Sequence, residues 1–365
     1  MEYSEIMQNI KQAKAAQKGS GESTILVHGG IAVEGQGMSA LFAEKDITID
    51  RGSAFRIHNP EAFMRLNSLL PNSQITGGQR DSLAITANDG TSRFKLRCAP
   101  VVDYKSRLKK TDRHIAVDYP KLLIDALCDA GRLSDRDVLV IKSSVVSIGH
   151  GGALAVVIST GQAFPWPVAF LTKTTETIAG VWSRRSADAG FISPSSLLVK
   201  GEGTWTEFRA IEDPDQEVVS VPKHHQSALE FGDTMEAIAK VPAIEIKRNS
   251  HLMALACDVD DVDDVDSGDE KSRKKRKSEK VFNVSVHDQG VHFRTSGGET
   301  SLEHELSGSM EEAKFNASLF NRAVDVIASR CTEVIIGTTS LIKAKHIILS
   351  TEDRSAIVLI AGLRD

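Results

Sequence analysis

The 365-residue chain is poor in aromatic residues, which make up 5% of it, although 41% of its residues are hydrophobic. Its cores must therefore be built mainly from valine, isoleucine, leucine and alanine. It lacks any run of about 18 apolar residues, the minimum for a membrane-spanning helix. Its first residues contain no apolar segment of the kind found in signal peptides. We therefore expect a cytoplasmic protein without a membrane span.

Cysteine is also scarce. Cys98, Cys128, Cys257 and Cys331 lie far apart, and none of them shows the C-x-x-C spacing of a zinc or redox site. Buried free thiols in a reducing compartment are the expectation. The net charge of −5 excludes a uniformly basic coat for nucleic acid, but it leaves room for local basic surfaces.

Signatures of catalysis are missing too. The adjacent pair His224 and His225 has no third ligand at metal-binding spacing, so it is interpreted as a surface pair. The glycine-rich stretch Gly149–Gly152 lacks the Gly-x-Ser-x-Gly elbow of a hydrolase and is interpreted as a turn between strands. We therefore expect no catalytic residues, no metal and no cofactor.

A recurring unit of strand, amphipathic helix and further strands organises the chain. Such units begin near Phe55, Phe164 and Lys314, at intervals of roughly 100–150 residues, which indicates an array of similar modules. Clear helices are predicted at Tyr119–Ala130 and Ala317–Ser329. The expectation is an α+β protein of three modules, each built from two half-units. The module boundaries are residues 1–104, 105–217 and 218–365.

The third module carries the least regular part of the sequence. A short helix is predicted at Thr234–Lys240, then a strand at Ala243–Lys247 and a helix at His251–Cys257. An insertion at residues 258–280 follows, with nine acidic and seven basic side chains and a net charge of −2. This composition predicts a disordered surface loop. Its basic run, Lys271–Lys277, could alternatively contact nucleic acid or act as a nuclear import signal.

Five segments, in this order and spacing, resemble the bacterial replicative DNA sliding clamp, the beta subunit of the replicase. They are Asp89–Arg97, Phe55–Pro71, Val281–Phe293, Phe315–Ile327 and the ending Ala356–Asp365. The resemblance is good over the first and third modules and holds in outline over the second. The extra charged insertion and the drift in sequence are typical of a virus-encoded or remote member.

The resemblance implies a non-enzymatic processivity factor. Two chains would join head to tail in a ring of six modules, with helices inside and sheets outside, around double-stranded DNA of any sequence. The ring would tether a DNA polymerase and be opened by a clamp loader. Mildly basic helix surfaces and connectors are the expected DNA contacts, although a solvated face is the alternative interpretation of each. These candidates are Lys11, Lys14, Lys18, Arg65, Lys109, Lys110, Lys121, Lys173, Arg322 and Arg330.

The resemblance also implies an apolar pocket for partner peptides, formed by the second and third modules beside the C-terminus. Its expected lining residues are Pro214, Val219, Val358, Ile360 and Leu363. Val358 and Ile360 could equally be ordinary core positions of a closing strand. Two other functions remain open at this point. One is a ring- or shell-forming structural protein, and the other is a regulator that binds polymerase peptides without encircling DNA.

Overall fold

The computed structural model describes residues 23–35, 37–43, 47–51, 53–59, 74–76, 82–86, 93–101, 108, 110–201, 203–211, 221–259, 280–287, 290–303 and 308–363. Residues 1–22 and 60–73 lie outside these residues, as does nearly all of the charged insertion. The chain forms two compact units that interleave along the sequence. The first unit comprises Met1–Cys128 and Trp166–Val219. The second unit comprises Asp129–Pro165 and Ser220–Asp365.

The first unit contains a twelve-stranded sheet in the order β4-β6-β7-β8-β5-β1-β2-β3-β16-β15-β14-β9. Its early strands are β1 (Ser23–Val27), β2 (Gly30–Glu34), β3 (Met38–Ala43), β4 (Ile47–Thr48), β5 (Ala54–Ile57), β6 (Gln74–Thr76), β7 (Ser82–Thr86) and β8 (Arg93–Pro100). Its later elements are β9 (Ile115–Val117), α1 (Pro120–Leu133), β13 (Val168–Leu171), α2 (Thr172–Trp182), β14 (Ala189–Ile192), β15 (Ser196–Gly201) and β16 (Thr204–Arg209). The last turn of α1 belongs to the second unit.

The pairing of β3 with β16 joins the early and the late strands of this unit into one sheet. Five residue pairs face each other in antiparallel register, from Phe42 opposite Thr204 to Met38 opposite Phe208. Helix α2 is tied to the same strand, because the buried Trp182 donates from Nε1 to the Thr206 hydroxyl at 2.7 Å. This hydrogen bond gives the indole N–H of Trp182, the largest fully buried side chain, an acceptor inside the core.

In the second unit the strands of one sheet lie in the order β10-β11-β12-β24-β23-β22-β17, and those of a smaller sheet lie in the order β20-β19-β18-β21. The strands are β10 (Asp137–Ile141), β11 (Ser144–Gly149), β12 (Leu154–Ser159), β17 (Met235–Pro242), β18 (Val281–His287), β19 (Gly290–Thr295), β20 (Gly298–Glu303), β21 (Met310–Asn316), β22 (Glu333–Thr339), β23 (His346–Thr351) and β24 (Ala356–Ala361). The helices are α3 (Lys223–Leu229), α4 (Phe231–Thr234), α5 (Ala243–Val259) and α6 (Ala317–Ala328), and a 3-10 turn spans His150–Gly152.

Helices α5 and α6 pack against each other and against the strands of this unit. Helix α6 begins where the side chain of Asn316 accepts a hydrogen bond from the Leu319 amide at 3.1 Å, the usual role of an N-cap asparagine. Its inner face inserts Phe320 among Phe282, Phe293 and Phe315. These four rings are almost completely buried, so they form an aromatic cluster in the core of this unit.

The structure confirms the α+β class and the two clearest helices, but it corrects the start of the third module. Residues Met235–Pro242 form strand β17, not a helix near Thr234–Lys240, and helix α5 already begins at Ala243, where a strand was predicted. Strand β17 is fixed by its antiparallel pairing with β22, a contact distant in sequence. The helix is fixed by burial of Ile246, Ser250 and Met253 at helical spacing.

Candidate functional site

Half of the ten cations predicted as DNA contacts belong to the part of the chain that the structure describes. These are Lys110, Lys121, Lys173, Arg322 and Arg330. The others lie outside it, namely Lys11, Lys14, Lys18, Arg65 and Lys109. The contacts of the described five differ sharply, because some present their charge to solvent and others are held by carboxylate or carbonyl oxygens.

Lys121, in the first turn of α1, connects this helix to the end of α2. Its Nζ lies 2.9 Å from the Oδ1 of Asp125, one turn later. It also donates to the carbonyl oxygens of Trp182 and Ser183, at 3.2 and 3.3 Å. Carbonyl groups at a helix C-terminus carry partial negative charge and favour a cation. Since the side chain is 43% exposed, Lys121 joins two helices while it still reaches solvent.

Two other lysines of the first unit lie at the surface. Lys173 is exposed in the first turn of α2, with the exposed Glu176 three residues further along. Lys110 is exposed as well, and its Nζ lies 4.5 Å from the centroid of the Phe191 ring. This distance is within the range of a cation–π interaction, which orients the ammonium without neutralising it. Both lysines therefore keep a positive charge available at the surface.

Two arginines, Arg322 in α6 and Arg330 just after its end, differ from these lysines because they bind the C-terminal part of α1. Arg330 donates from Nε and Nη2 to the Oδ2 of Asp129, at 3.0 and 2.6 Å. Both side chains are largely buried, at 15% and 13% exposure. Arg322 donates from Nη2 to the carbonyl oxygen of Arg132 at 2.5 Å. The charge of Arg330 is thus paired within the protein, and its contacts assign it a structural role.

Helix α5 presents cations that the sequence interpretation missed. Lys247 and Arg248 are exposed, and the Nζ of Lys247 lies 2.9 Å from the Oδ1 of Asp325 on α6. His251 Nε2 lies 3.2 Å from the same oxygen. These residues were overlooked because the segment around Lys247 was interpreted as a strand. The helical spacing of its buried positions was the signal that could have identified them.

Of the residues predicted to line a peptide pocket, Val358 and Ile360 lie inside strand β24 and are 0% and 1% exposed. Val358 faces Val156 on β12 and Leu349 on β23, so it occupies a core position of the sheet. The amide of Leu363 donates to the carbonyl oxygen of Lys314 at 2.8 Å, which holds the tail against β21. The other two predicted residues, Pro214 and Val219, lie outside the described residues.

The paired histidines of α3 are not both at the surface. His225 is 5% exposed, its helix packs against β11 and β12, and neither of its ring nitrogens has a hydrogen-bond partner. His224 lies next to it, with the two ring centroids 4.5 Å apart. A buried imidazole without partners strongly favours its neutral form. This burial replaces the surface pair that the sequence predicted.

His225 should make the second unit acid-sensitive. Burial, reinforced by the electrostatic interaction with the neighbouring His224, lowers the pKa of His225 to about 4, whereas an unfolded histidine titrates near about 6.5. The unfolded chain therefore takes up a proton that the folded chain excludes, and stability falls as the pH drops from about 6.5 toward 4. We expect a loss of about 2 kcal/mol in unfolding free energy between about pH 7 and pH 5. Urea denaturation measures it, and His225→Leu should remove this part of the pH dependence. An equal pH dependence in the variant would contradict the assignment.

Among the described residues, no group of three or more histidine, cysteine, aspartate or glutamate side chains is arranged to hold a metal ion. Within the same residues, no helix combines the length and the apolar character needed to cross a bilayer.

Comparison with known proteins gives a match at the level of structure. No protein-family model matches the sequence, and no curated protein matches it either. Among solved structures, the putative DNA polymerase III beta subunit of Eubacterium rectale superimposes with a TM-score of 0.67 at 12% identity, over 100% of this chain and 99% of that one. The DNA polymerase III subunit beta of Pseudomonas aeruginosa gives 0.67 at 11%, with the same coverage. The DNA polymerase sliding clamp of Bacillus subtilis gives 0.65 at 13%, over 99% and 97%.

The three matches cover 97–100% of both chains. The identities of 11–13% show the fold, while the side chains have diverged nearly everywhere. The surface cations and the buried side chains of β24 described above are therefore properties of this chain's own sequence, and the shared fold alone does not imply them. The chain has the fold of the bacterial DNA polymerase III beta sliding clamps.

Proposed function

We propose that this protein is a DNA polymerase sliding clamp, a processivity factor that encircles duplex DNA. The observation that carries the proposal is the match to beta clamps over 99–100% of the chain rather than over one part of it. In this function the protein performs no chemistry, so it requires no catalytic residue and no cofactor. It acts in the cytoplasm as a moving tether for the replicative DNA polymerase and other replication proteins.

The proposed ring contains two copies of the chain, each with modules at residues 1–104, 105–217 and 218–365. Strand pairing between modules supports this organisation. Strand β3 of the first module pairs with β16 of the second, and β12 of the second module pairs with β24 of the third. Each junction has five facing residue pairs in antiparallel register, so main-chain hydrogen bonds join the modules. Two head-to-tail contacts between chains would close a ring of six modules.

Sliding requires attraction to DNA that does not depend on sequence and does not stop movement. A few lysines and arginines close to phosphates provide this, because they displace counterions without reading base edges. Lys121 and Lys173, which begin α1 and α2, have the exposure that such contacts need, as do Lys110, Lys247 and Arg248. The predicted contacts outside the described residues belong to the same proposal, whereas Arg330 is tied to Asp129.

The proposal includes docking of short peptides from the polymerase and the clamp loader near the C-terminus. Pro214, Val219, Val358, Ile360 and Leu363 remain the proposed pocket residues. Because Val358 and Ile360 are core residues of β24, truncating them would damage folding as well as binding. Leu363, in the tail after β24, is the residue of this set at which binding can be tested with the smaller structural cost.

A charge reversal at Lys173 tests the DNA contact. Lys173→Glu should weaken association with duplex DNA and lower the slope of log affinity against log salt by about 0.9, the value for one phosphate contact. Lys343→Glu is the matched control, because Lys343 is also an exposed lysine but lies in the loop between β22 and β23. Fluorescence anisotropy over a salt series measures both variants. Equal slopes for the two would remove Lys173 from the DNA-contacting surface.

Negative-stain electron microscopy at micromolar concentration tests the assembly. The proposal expects rings with a central hole and six lobes. Rings without salt-dependent DNA association would favour a structural ring or shell protein. Polymerase peptide binding by particles that never form rings would favour a regulator. Compact particles that bind neither DNA nor peptide would contradict the proposed function.

A further inference from the structure

Strands β11, β12 and β24 of the second unit carry an apolar strip on one face. The strand register places Val146 opposite Val157, and Val157 opposite Ile357. Ala155 and Leu359, which also face each other, lie two residues away on the same face, because side chains alternate along a strand. None of these five side chains is more than 9% exposed. Another part of the chain must therefore cover the apolar strip.

Helix α1 covers the opposite face of these strands. Ser147 follows Val146 and points away from the apolar strip, and its hydroxyl donates to the carbonyl oxygen of Ala130 in α1 at 3.0 Å. Ser147 faces Val156 across the strand pair, and Val156 faces Val358. The side chain of Val358 therefore lies on the side of α1, and the apolar strip lies on the other side of the sheet.

Helices α3 and α4, which together we call the cover (Lys223–Thr234), lie on the apolar strip. Helix α3 packs against β11 and β12, and its buried residues are His225 and Ala228. In α4, a Cβ at Gly232 would lie 2.8 Å from the Cδ1 of Ile357, so the missing side chain lets α4 approach β24 closely. Because α4 follows α3 directly and contacts Ile357, both helices lie on the face of the apolar strip.

Hydrogen bonds tie α4 to the loops and strands around it. Arg354, in the turn between β23 and β24, donates from Nη1 to the carbonyl oxygen of Gly232. The hydroxyl groups of Thr234 and Thr339, the last residue of β22, lie 2.8 Å apart. The C-terminal end of the cover is therefore anchored.

Helix α3 is attached by packing alone in the part of the chain that the structure describes. The Gln226 side chain donates to the carbonyl oxygen of Val221, just before the helix, at 3.2 Å. Both ring nitrogens of the buried His225 lack a partner, and a buried polar group without a partner costs free energy. The helix has seven residues and no side-chain hydrogen bond at its N-cap, so it is marginal on its own. The free end of the cover is thus held weakly.

We propose that the cover is autoinhibitory: α3 lifts from the apolar strip while α4 stays anchored, and the uncovered strip binds an apolar partner peptide. This inference rests on the proposed function, because β24 leads into the C-terminal tail where peptides of the polymerase and clamp loader are proposed to dock. It places their docking face on β24 at Ile357 and Leu359, opposite to Val358. A peptide must compete with α3, so its apparent affinity is reduced by the fraction of molecules in which the cover is open.

Native-state hydrogen exchange of the full chain at pH 7, read by mass spectrometry over a urea series, tests the opening. The amides of α3 should exchange by local opening at rates that do not depend on low urea, while those of β12 and β24 exchange only on global unfolding. His225→Leu removes the unpaired nitrogens and should slow exchange in α3 about tenfold. His224→Leu is the matched control, because His224 is exposed, and should leave it unchanged. Amides of α3 that exchange only with global unfolding would overturn the proposal.

A pair of charged variants tests docking on the apolar strip. Ala228→Asp places a carboxylate at a position that is 0% exposed, so it should release α3. Ser227→Asp places the same charge on an exposed residue of this helix and should leave the cover closed. The probe is a fluorescein-labelled peptide with the sequence of residues 223–234, whose side chains fit the strip.

Fluorescence anisotropy should show the peptide binding to Ala228→Asp at least about tenfold more tightly than to Ser227→Asp, because only the first variant has an open strip. Circular dichroism checks that both variants are folded, and the exchange measurement on His225→Leu decides the matter if Ala228→Asp is not. Equal affinity of two folded variants would contradict the proposed docking face. Neither measurement involves DNA or a ring, so failure here is distinguishable from failure of the sliding-clamp function.

Discussion

Replacing Phe320 with alanine should lower the free energy of unfolding by about 3–5 kcal/mol, the range for removing a fully buried phenylalanine. Phe320 is 0% exposed. Its ring centroid lies 5.0 Å from that of Phe282, 6.0 Å from Phe293 and 5.9 Å from Phe315. The substitution would therefore leave a cavity between α6 and the small sheet and remove three edge-on or tilted ring contacts, each worth more than its buried area alone.

Urea denaturation, followed by far-ultraviolet circular dichroism, measures this effect. Leu341→Ala is the matched control, because Leu341 is also a large apolar residue of this unit but is 48% exposed. It should change stability by no more than about 0.5 kcal/mol. A loss below about 1 kcal/mol for Phe320→Ala would mean that the phenylalanine cluster is not the packed centre of this unit.

Asp129→Asn should cost about 3 kcal/mol, at the lower end of the range for breaking a buried ion pair. The substitution retains the shape of the side chain but removes the charge that balances the guanidinium of Arg330. The Arg330 side chain is only 15% exposed, so water cannot replace the lost carboxylate fully. The lower end applies because both partners retain some contact with solvent.

Arg132→Ala provides the control on the same carboxylate. The Nη1 of Arg132 lies 3.2 Å from the other oxygen of Asp129, but its side chain is 65% exposed. Surface pairs of this kind contribute about 0–1 kcal/mol. We therefore expect a small effect in the same denaturation assay. Losses of equal size for Asp129→Asn and Arg132→Ala would show that burial does not distinguish the two pairs.

Strong local patterns predicted the helices that the structure confirms. The amphipathic run from Pro120 and the run after Asn316 each combine apolar positions at helical spacing with a favourable start. The segment from Thr234 to Lys247 has no such consistency. Apolar and charged residues alternate from Ile244 to Lys247 as in a strand, yet the segment is helical because the helix buries Ile246, Ser250 and Met253 and packs against the small sheet.

The candidate site was less predictable than the fold, because its contacts join distant parts of the chain. Asp129 and Arg330 are separated by 201 residues, so the sequence does not reveal that one neutralises the other. Lys121 was predicted as a surface cation, yet it also caps the end of α2 through two carbonyl oxygens.

Topological retention on DNA tests the sliding-clamp account most directly. The protein is allowed to thread onto linear duplex DNA, both ends are then blocked with streptavidin, and the salt is raised to about 1 M, where charge interactions are screened beyond about 3 Å. The account predicts that protein stays on the blocked DNA, is lost from unblocked DNA of the same sequence, and is released when a restriction enzyme opens the blocked duplex. Equal loss from blocked and unblocked DNA, by a preparation that forms rings in the microscope, would contradict it.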